Sequence, residues 1–369
     1  MLENYRIRNY NFKLLILVVV AGIFGTVMIN SADSSYLKKQ ILGLCICLIG
    51  LVVLSLIDYK FISKFYLILY GINLILLLSV KLFGSSANGA TRWLGSDSFI
   101  KIQPSEFSKI FLIICAANFL SEHKDSINTI KTLVCYAVLC GIPLILIALQ
   151  PDLSTTIDIF VILCVMLFVA GLDYKIIGIV FLCLVPLAGS FFWYVKQPDP
   201  LFLSDYQVKR ILAYLYPEDY ASTIQYQQDN SIMAIGSGQL WGKGLNTSTL
   251  ATVKDANLIS EQQTDFIFSV VGEELGFVGS ILIIVILGSI VVQCISTARK
   301  ANDDMGMFIA TGVATLIGFQ TFINIGVATA LLPNTGIPLP FISYGLSSLV
   351  SSCAAIGLVL NISLQRRKY

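Results

Sequence analysis

Apolar runs of about 20 residues follow one another along most of this 369-residue chain, with short polar stretches between them. Such a run is what an α-helix needs to cross the hydrocarbon core of a bilayer. Ten stand out, at 12–30, 41–57, 65–83, 105–121, 132–149, 153–170, 174–195, 265–295, 306–330 and 346–364. They predict an all-α integral membrane protein of about ten transmembrane helices, forming one polytopic domain over 1–369. The exception to the short connections is 196–264, a large polar loop between spans seven and eight. Long loops of this kind usually carry function. The chain re-enters apolar sequence at Glu261 to Phe268, so Asp265 stands at a boundary between water and membrane and is the first candidate for chemistry.

Composition removes the soluble alternative. Hydrophobic residues make up 56% of the chain and charged residues 12%, with a mean hydropathy of +0.81. The first run is followed by no small-residue cleavage site and reads as a retained helix. Arg6, Arg8, Lys13, Lys60, Lys64, Lys124, Lys131, Lys175, Arg299, Lys300 and Arg366 to Lys368 fall on one side, which the positive-inside rule makes cytoplasmic. Lys38, Lys39 and Arg92 reduce the contrast. Both termini are then expected inside and the long loop outside. A net charge of +2 without a basic stripe excludes nucleic acid as a partner. All nine cysteines lie in predicted spans, which points to small core residues rather than disulfides or metal ligands. The single histidine, His123, sits between Glu122 and Lys124 as a surface residue.

Within the loop, Val208, Ile211, Leu212 and Leu215 recur at helical spacing beside Lys209 and Arg210, which predicts an interfacial helix. Its cations meet either membrane lipid head groups or an anionic lipid-linked substrate. The glycine-rich stretch from Gly236 to Gly244 fits neither the dinucleotide nor the P-loop spacing. Span four opens at Gln103-Pro-Ser-Glu106, with the acid at the positive end of the helix dipole. Lys109 opposes that dipole, so it either pairs with Glu106 or faces a cavity and a phosphate. Asp152, after Pro151, reads first as a cap on span six. Pro333, Pro338 and Pro340 prevent a helix between spans nine and ten, and irregular backbone at that depth must line protein or a cavity.

Taken together, several stretches resemble the SEDS family (shape, elongation, division and sporulation), which includes RodA, FtsW and SpoVE. The resemblance rests on Gly89-Ala-Thr-Arg92-Trp93-Leu with Gln103-Pro-Ser-Glu106 and Lys109, on Gln150-Pro-Asp-Leu153, and on Arg210-Ile with Pro217-Glu218. It continues through Gln227-Gln228, Gly236-Ser-Gly238, Gly242-Lys243-Gly244, Thr264 to Phe268, Glu273-Glu274-Leu-Gly276 and Asn324-Ile-Gly326, and ends with Gly336 to Gly345, which holds Ser343. It spans nearly the whole chain in order. Leu346 and Ser154 stand where the family commonly has glycine. The compact termini and Ile337-Pro-Leu-Pro340 look more like the RodA branch.

The resemblance implies a peptidoglycan glycosyltransferase at the outer face of the bacterial cytoplasmic membrane, polymerising lipid II and working with a class B penicillin-binding protein. The family's essential acid in the large outer loop corresponds to Asp265, which becomes the candidate general base, and Arg92, Glu106, Lys109, Asp152, Arg210, Lys243, Glu273, Glu274 and Ser343 are the candidate substrate-binding positions. The chemistry itself needs a base for the attacking 4-hydroxyl and a stabiliser for the departing polyprenyl diphosphate. Arg92, Lys109 and Arg210 are the cations for the second task. No cofactor is required by the pattern, and a divalent cation, Mg2+ or Mn2+, could supplement them. Read without the family, Asp265 could equally serve as a first-turn acid of span eight. Glu273 and Glu274 lie about 12–14 Å deeper along that helix and face the cavity or pair with other spans. The competing readings are a lipid II flippase, which Asp158 in span six would suit, and a non-enzymatic scaffold.

Overall fold

The computed structural model describes residues 7–87, 90–95, 101–197, 205–220, 224–247, 252–254, 256, 258–260 and 262–365. In chain order the helices are α1 (Phe12–Ala32), α2 (Leu37–Leu56), the short α3 (Tyr59–Lys64), α4 (Tyr66–Phe83), α5 (Pro104–Glu122), α6 (Ile130–Ala148) and α7 (Leu153–Val169). They continue as α8 (Tyr174–Val195), α9 (Asp205–Leu215), α10 (Ile224–Ser237), α11 (Ile267–Arg299), α12 (Asp304–Ala328) and α13 (Leu346–Leu364). Each predicted span is thus a helix. Among the described residues, seven helical segments are long and apolar enough to cross a membrane by length and composition: α1, α2 with the turn before it, α4, α6, α11, α12 and α13. The other predicted spans correspond to α5, α7 and α8.

Helix ends follow local chemistry. Asn11, Asp58, Thr129, Asp152 and Asp303 each accept a backbone N–H in the first turn of the helix that follows. Lys38 and Lys39, read as connection, belong to the first turn of α2 because Asp33 anchors the tight turn just before it. The connection between α4 and α5 carries structure not predicted from the sequence pattern. It contains a two-stranded antiparallel hairpin, β1 (Ser85–Ala87) with β2 (Ala90–Trp93), and Leu94 bridges Ile102.

The bundle is layered by burial. In α13, 78% of the apolar window is buried and in α12 61%, against 17% in α4, so α12 and α13 form the centre and α4 the rim. α12 packs on α11, α5 and α7, while α13 packs on α2. Cysteine follows the same division. Cys47, Cys115, Cys140, Cys294 and Cys353 are buried, but Cys45, Cys135 and Cys164 lie on outward faces, contrary to the expectation of core positions. In a hydrocarbon solvent an outward face has no need to be polar, so a small thiol is tolerated there.

The described parts of the long loop pack against the bundle, chiefly through α10 on α11. α9 is the helix expected from the spacing of Val208, Ile211, Leu212 and Leu215, and this hydrophobic stripe lies beside Lys209 and Arg210. α10 was not visible as an apolar pattern because its buried face is polar. Gln228 donates to the Val327 and Leu332 carbonyls at 3.0 and 2.9 Å, and Ser231 to the Ala328 carbonyl at 2.7 Å. These carbonyls lie at and just beyond the C-terminus of α12, where a helix has no partners of its own.

α11 is broken at Gly276, whose φ of 65° and ψ of −159° interrupt its hydrogen-bond ladder. The glycine-rich stretch of the loop fills the gap from both sides. Lys243 N and Gly244 N donate to the Glu273 and Glu274 carbonyls at 2.9 and 3.0 Å, while Phe277 N and Val278 N donate to the Gln239 and Leu240 carbonyls at 2.9 and 3.2 Å. Glycine is required here for closeness. A Cβ at Gly238 would lie 1.9 Å from the Gly272 carbonyl oxygen, and one at Gly242 2.1 Å from that of Glu274.

Candidate active site

Asp265 precedes α11 rather than lying in its first turn. The helix begins at Ile267 after Phe266, and its first turn holds no acid. The half-buried Asp265 carboxylate and the Arg210 guanidinium of α9 both approach Gly336 in the segment between α12 and α13. A methyl group on Gly336 would sit 3.2 Å from Asp265 Oδ2 and 3.5 Å from Arg210 Nη1. Gly336 has φ 76°, so both the backbone conformation and the lack of a side chain serve this convergence.

The proline-rich segment is held against the acid by directed hydrogen bonds. Asn324 Nδ2 donates to the Asp265 and Ile337 carbonyls, both at 2.8 Å. Ser343 Oγ accepts from Leu339 N at 2.8 Å and donates to the Thr264 carbonyl at 2.6 Å, and Tyr344 N donates to the Gln263 carbonyl at 2.9 Å. Ser343 therefore acts here through the backbone. Tyr214 of α9 donates to the Leu331 carbonyl at 3.1 Å, which ties the helix bearing Arg210 to the same segment.

A second polar group begins one residue away. Ser154, at the start of α7, donates to the Thr335 carbonyl at 2.6 Å. Behind it Asp152 caps α7 through Thr155 N at 3.3 Å and is approached by Gln103 and Ser105, each at 3.3 Å. Arg92 Nη1 lies 3.7 Å from Asp152, and its other terminal nitrogen donates to the Pro151 carbonyl. Asp152 is both the expected cap and the centre of this cluster. Deeper still, Lys109 is 2% exposed and sits 2.7 Å from Glu106 and 3.6 Å from Asp158, and Asp158 accepts from Gln320 at 2.8 Å. Of the two alternatives for Lys109, this geometry is the ion pair. Asp158 belongs to the same network.

Lys243, Glu273 and Glu274 form a third group around the break in α11. Glu273 receives Lys243 Nζ and Val253 N, both at 2.7 Å, and Lys254 N at 3.2 Å. Glu274 receives Lys254 Nζ at 2.7 Å, Ser31 Oγ at 2.5 Å and Asn246 N at 3.2 Å. Both glutamates are 1% exposed, so they pair with the loop and hold it. The sequence reading missed Lys254, Ser31 and Asn246, which gain meaning only once the loop folds back. Asn324 and Gln320 did leave a signal, as amides four apart on an apolar helix.

The profile of the family described as cell cycle protein, FtsW/RodA/SpoVE, matches residues 8–368. A probable peptidoglycan glycosyltransferase FtsW of Trichlorobacter lovleyi is 35% identical over 97% of this chain and 94% of its own length. Stage V sporulation protein E of Bacillus subtilis is 35% identical over 96% of this chain and 97% of its own. Among solved structures, one described as a peptidoglycan synthase complex that coordinates polymerisation and crosslinking aligns with a TM-score of 0.80 at 27% identity, covering 96% of this chain and 97% of the other. The rod shape determining protein RodA of Thermus thermophilus aligns at 0.70 with 27% identity, covering 98% of each chain. These relatives cover all three branches and do not single out RodA. The chain therefore belongs to the FtsW/RodA/SpoVE family of membrane proteins.

Proposed function

We propose that this chain, a peptidoglycan glycosyltransferase of the bacterial cell membrane, polymerises lipid II at the outer membrane face with Asp265 as general base. The observation that carries this reading is the convergence of the Asp265 carboxylate and the Arg210 guanidinium over bare backbone at Gly336. A base and a cation then flank a place where a reacting sugar and its diphosphate can be held.

In the reaction the acceptor 4-hydroxyl attacks the anomeric carbon of the donor. Its proton passes to Asp265 Oδ2, the new glycosidic bond forms, and the electron pair of the broken bond leaves on the polyprenyl diphosphate. Arg210 faces the charge that develops on that diphosphate. Arg92, anchored by Asp152, is the next cation along the same wall. No cluster of three potential metal ligands occurs among the described residues, so a divalent cation would be held by the Asp265 carboxylate together with the diphosphate of the substrate. No step is routed through one.

Pairing with a class B penicillin-binding protein belongs to the same proposal, supported by the solved neighbour being a synthase complex. The test is purified protein given labelled lipid II. Wild type is expected to make glycan strands, and a folded Asp265→Asn variant is expected to lose at least a hundredfold in rate while keeping its melting temperature. Near-normal synthesis by that variant would remove Asp265 from the chemistry. Scrambling of lipid II without strands would mark a flippase, and neither activity a scaffold.

A further inference from the structure

Between the α1–α2 connection and the folded loop lies an open cleft of about 580 Å³, lined in part by Asn30, Ser31, Asp33, Ser34, Asn246 and Gln262. We propose that it is a saccharide subsite that holds the growing glycan strand beside the acid. The inference rests on the glycosyltransferase reading and adds a site for the product of each cycle.

The electrostatics select a neutral ligand rich in hydroxyl and amide groups. The cleft lies at the C-terminus of α1, the negative end of its dipole, and Asp33 adds a carboxylate, so a diphosphate would be repelled. Lys254, which touches the lining residues Ser31 and Asn246 from behind, is already matched, since its Nζ lies 2.7 Å from Glu274 and donates to Ser31 Oγ and Asn246 Oδ1 at 3.1 and 3.2 Å. Gln262 is 6% exposed and donates to the Ala32 carbonyl at 3.1 Å, while its buried Oε1 has no partner among the described residues. An amide with one committed end and one open acceptor suits a sugar hydroxyl or acetamido N–H. Tyr36, two residues past Ser34, packs against Tyr344 with ring centroids 4.5 Å apart, which puts an aromatic surface at the same flank. The size falls in the range of ligand clefts.

Position completes the argument. Gln262 is three residues from Asp265, and three residues span at most about 10 Å, roughly a disaccharide's length. A polymerising enzyme must keep its strand within that reach between additions, and the cationic side of the site is left to the diphosphate.

The experiment measures binding of a soluble N-acetylglucosamine tetramer to the detergent-purified full chain, together with strand length from lipid II. The variants are Ser34→Trp, which fills the cleft from an exposed position, and Asn30→Leu, which removes an amide from its wall. Saturable binding is expected in wild type, with at least a tenfold loss in both variants at unchanged melting temperature, and strands at least threefold shorter. If one variant fails to fold, the other decides. No saturable binding by wild type, or equal binding by a folded variant, overturns the subsite. Tetramer binding with no strand synthesis from lipid II would keep the subsite and defeat the polymerase reading, so the two fail separately.

Discussion

At the residue scale, the buried Lys109 carries the largest stability consequence. It lies between Glu106 and Asp158, so truncation leaves two carboxylates facing each other in a low-dielectric interior. Lys109→Ala is expected to destabilise by about 3–5 kcal/mol, the usual result of removing one partner of a buried ion pair. Removing the three charges together, with Lys109→Met, Glu106→Gln and Asp158→Asn, is expected to recover much of that loss. Thermal unfolding of the detergent-purified variants checks it, and a Lys109→Ala protein that melts like wild type would show the network to be dispensable. Sequence placed Glu106 and Lys109 on one helical face, three residues apart, and so made their pairing legible. It could not supply Asp158 or Gln320, which arrive from α7 and α12 across the bundle. The same holds at the acid. Asp265 was marked by its boundary position, but the approach of Asp265 and Arg210 to Gly336 brings together parts of the chain that have no sequence proximity.

At the scale of elements, the break in α11 makes a sharp prediction. Gly242 has φ 81° and lies against the Glu274 carbonyl, so Gly242→Ala meets both backbone strain and an oxygen at 2.1 Å. A cost of about 2 kcal/mol or more is expected from strain and displaced hydrogen bonds together. Gly288→Ala, on the same helix with open space around it, is the control and is expected to stabilise by up to about 1 kcal/mol. Equal melting temperatures for the two variants would mean that the loop is not needed to complete the helix. The spans were readable because each is a continuous apolar run. α10 was not, because it is held by amide and hydroxyl groups directed at the end of α12. The completion of α11 by the loop was hidden for a different reason, as it is made of backbone atoms and betrayed only by glycines.

For the whole molecule, the connection between α11 and α12 is cross-linked to α3 at the same end of the bundle. Asp303 accepts from Tyr59 at 2.8 Å, pairs with Lys60 at 2.7 Å and caps α12 through Gly306 N at 2.8 Å. Burial pushes its carboxyl up, but these three donors outweigh it and hold the group below its ordinary range. A depressed carboxyl contributes stability above its unfolded value, and that contribution is lost as pH falls through the folded one. Melting temperature is therefore expected to drop on acidification below about pH 4, the usual carboxylate range, and to drop less steeply in Asp303→Asn. Parallel slopes would remove Asp303 from the acid response. Orientation has its own test in a cysteine-free background. Glu218→Cys and Asn302→Cys are at exposed positions, and in intact cells an impermeant thiol reagent is expected to label the first and spare the second. Labelling at 302 alone would invert the protein and carry Asp265 to the other face.

The seam between the loop and α11 also bears on biogenesis. Residues 239–244 are synthesised before Gly276, so the strip that completes the helix is already made when its broken partner emerges. α11 need not insert as one uninterrupted rod. Its first segment, Ile267 to Leu275, can dock on the preceding polypeptide while the longer second segment takes up the bilayer, making loop folding and membrane integration a single assembly event rather than two.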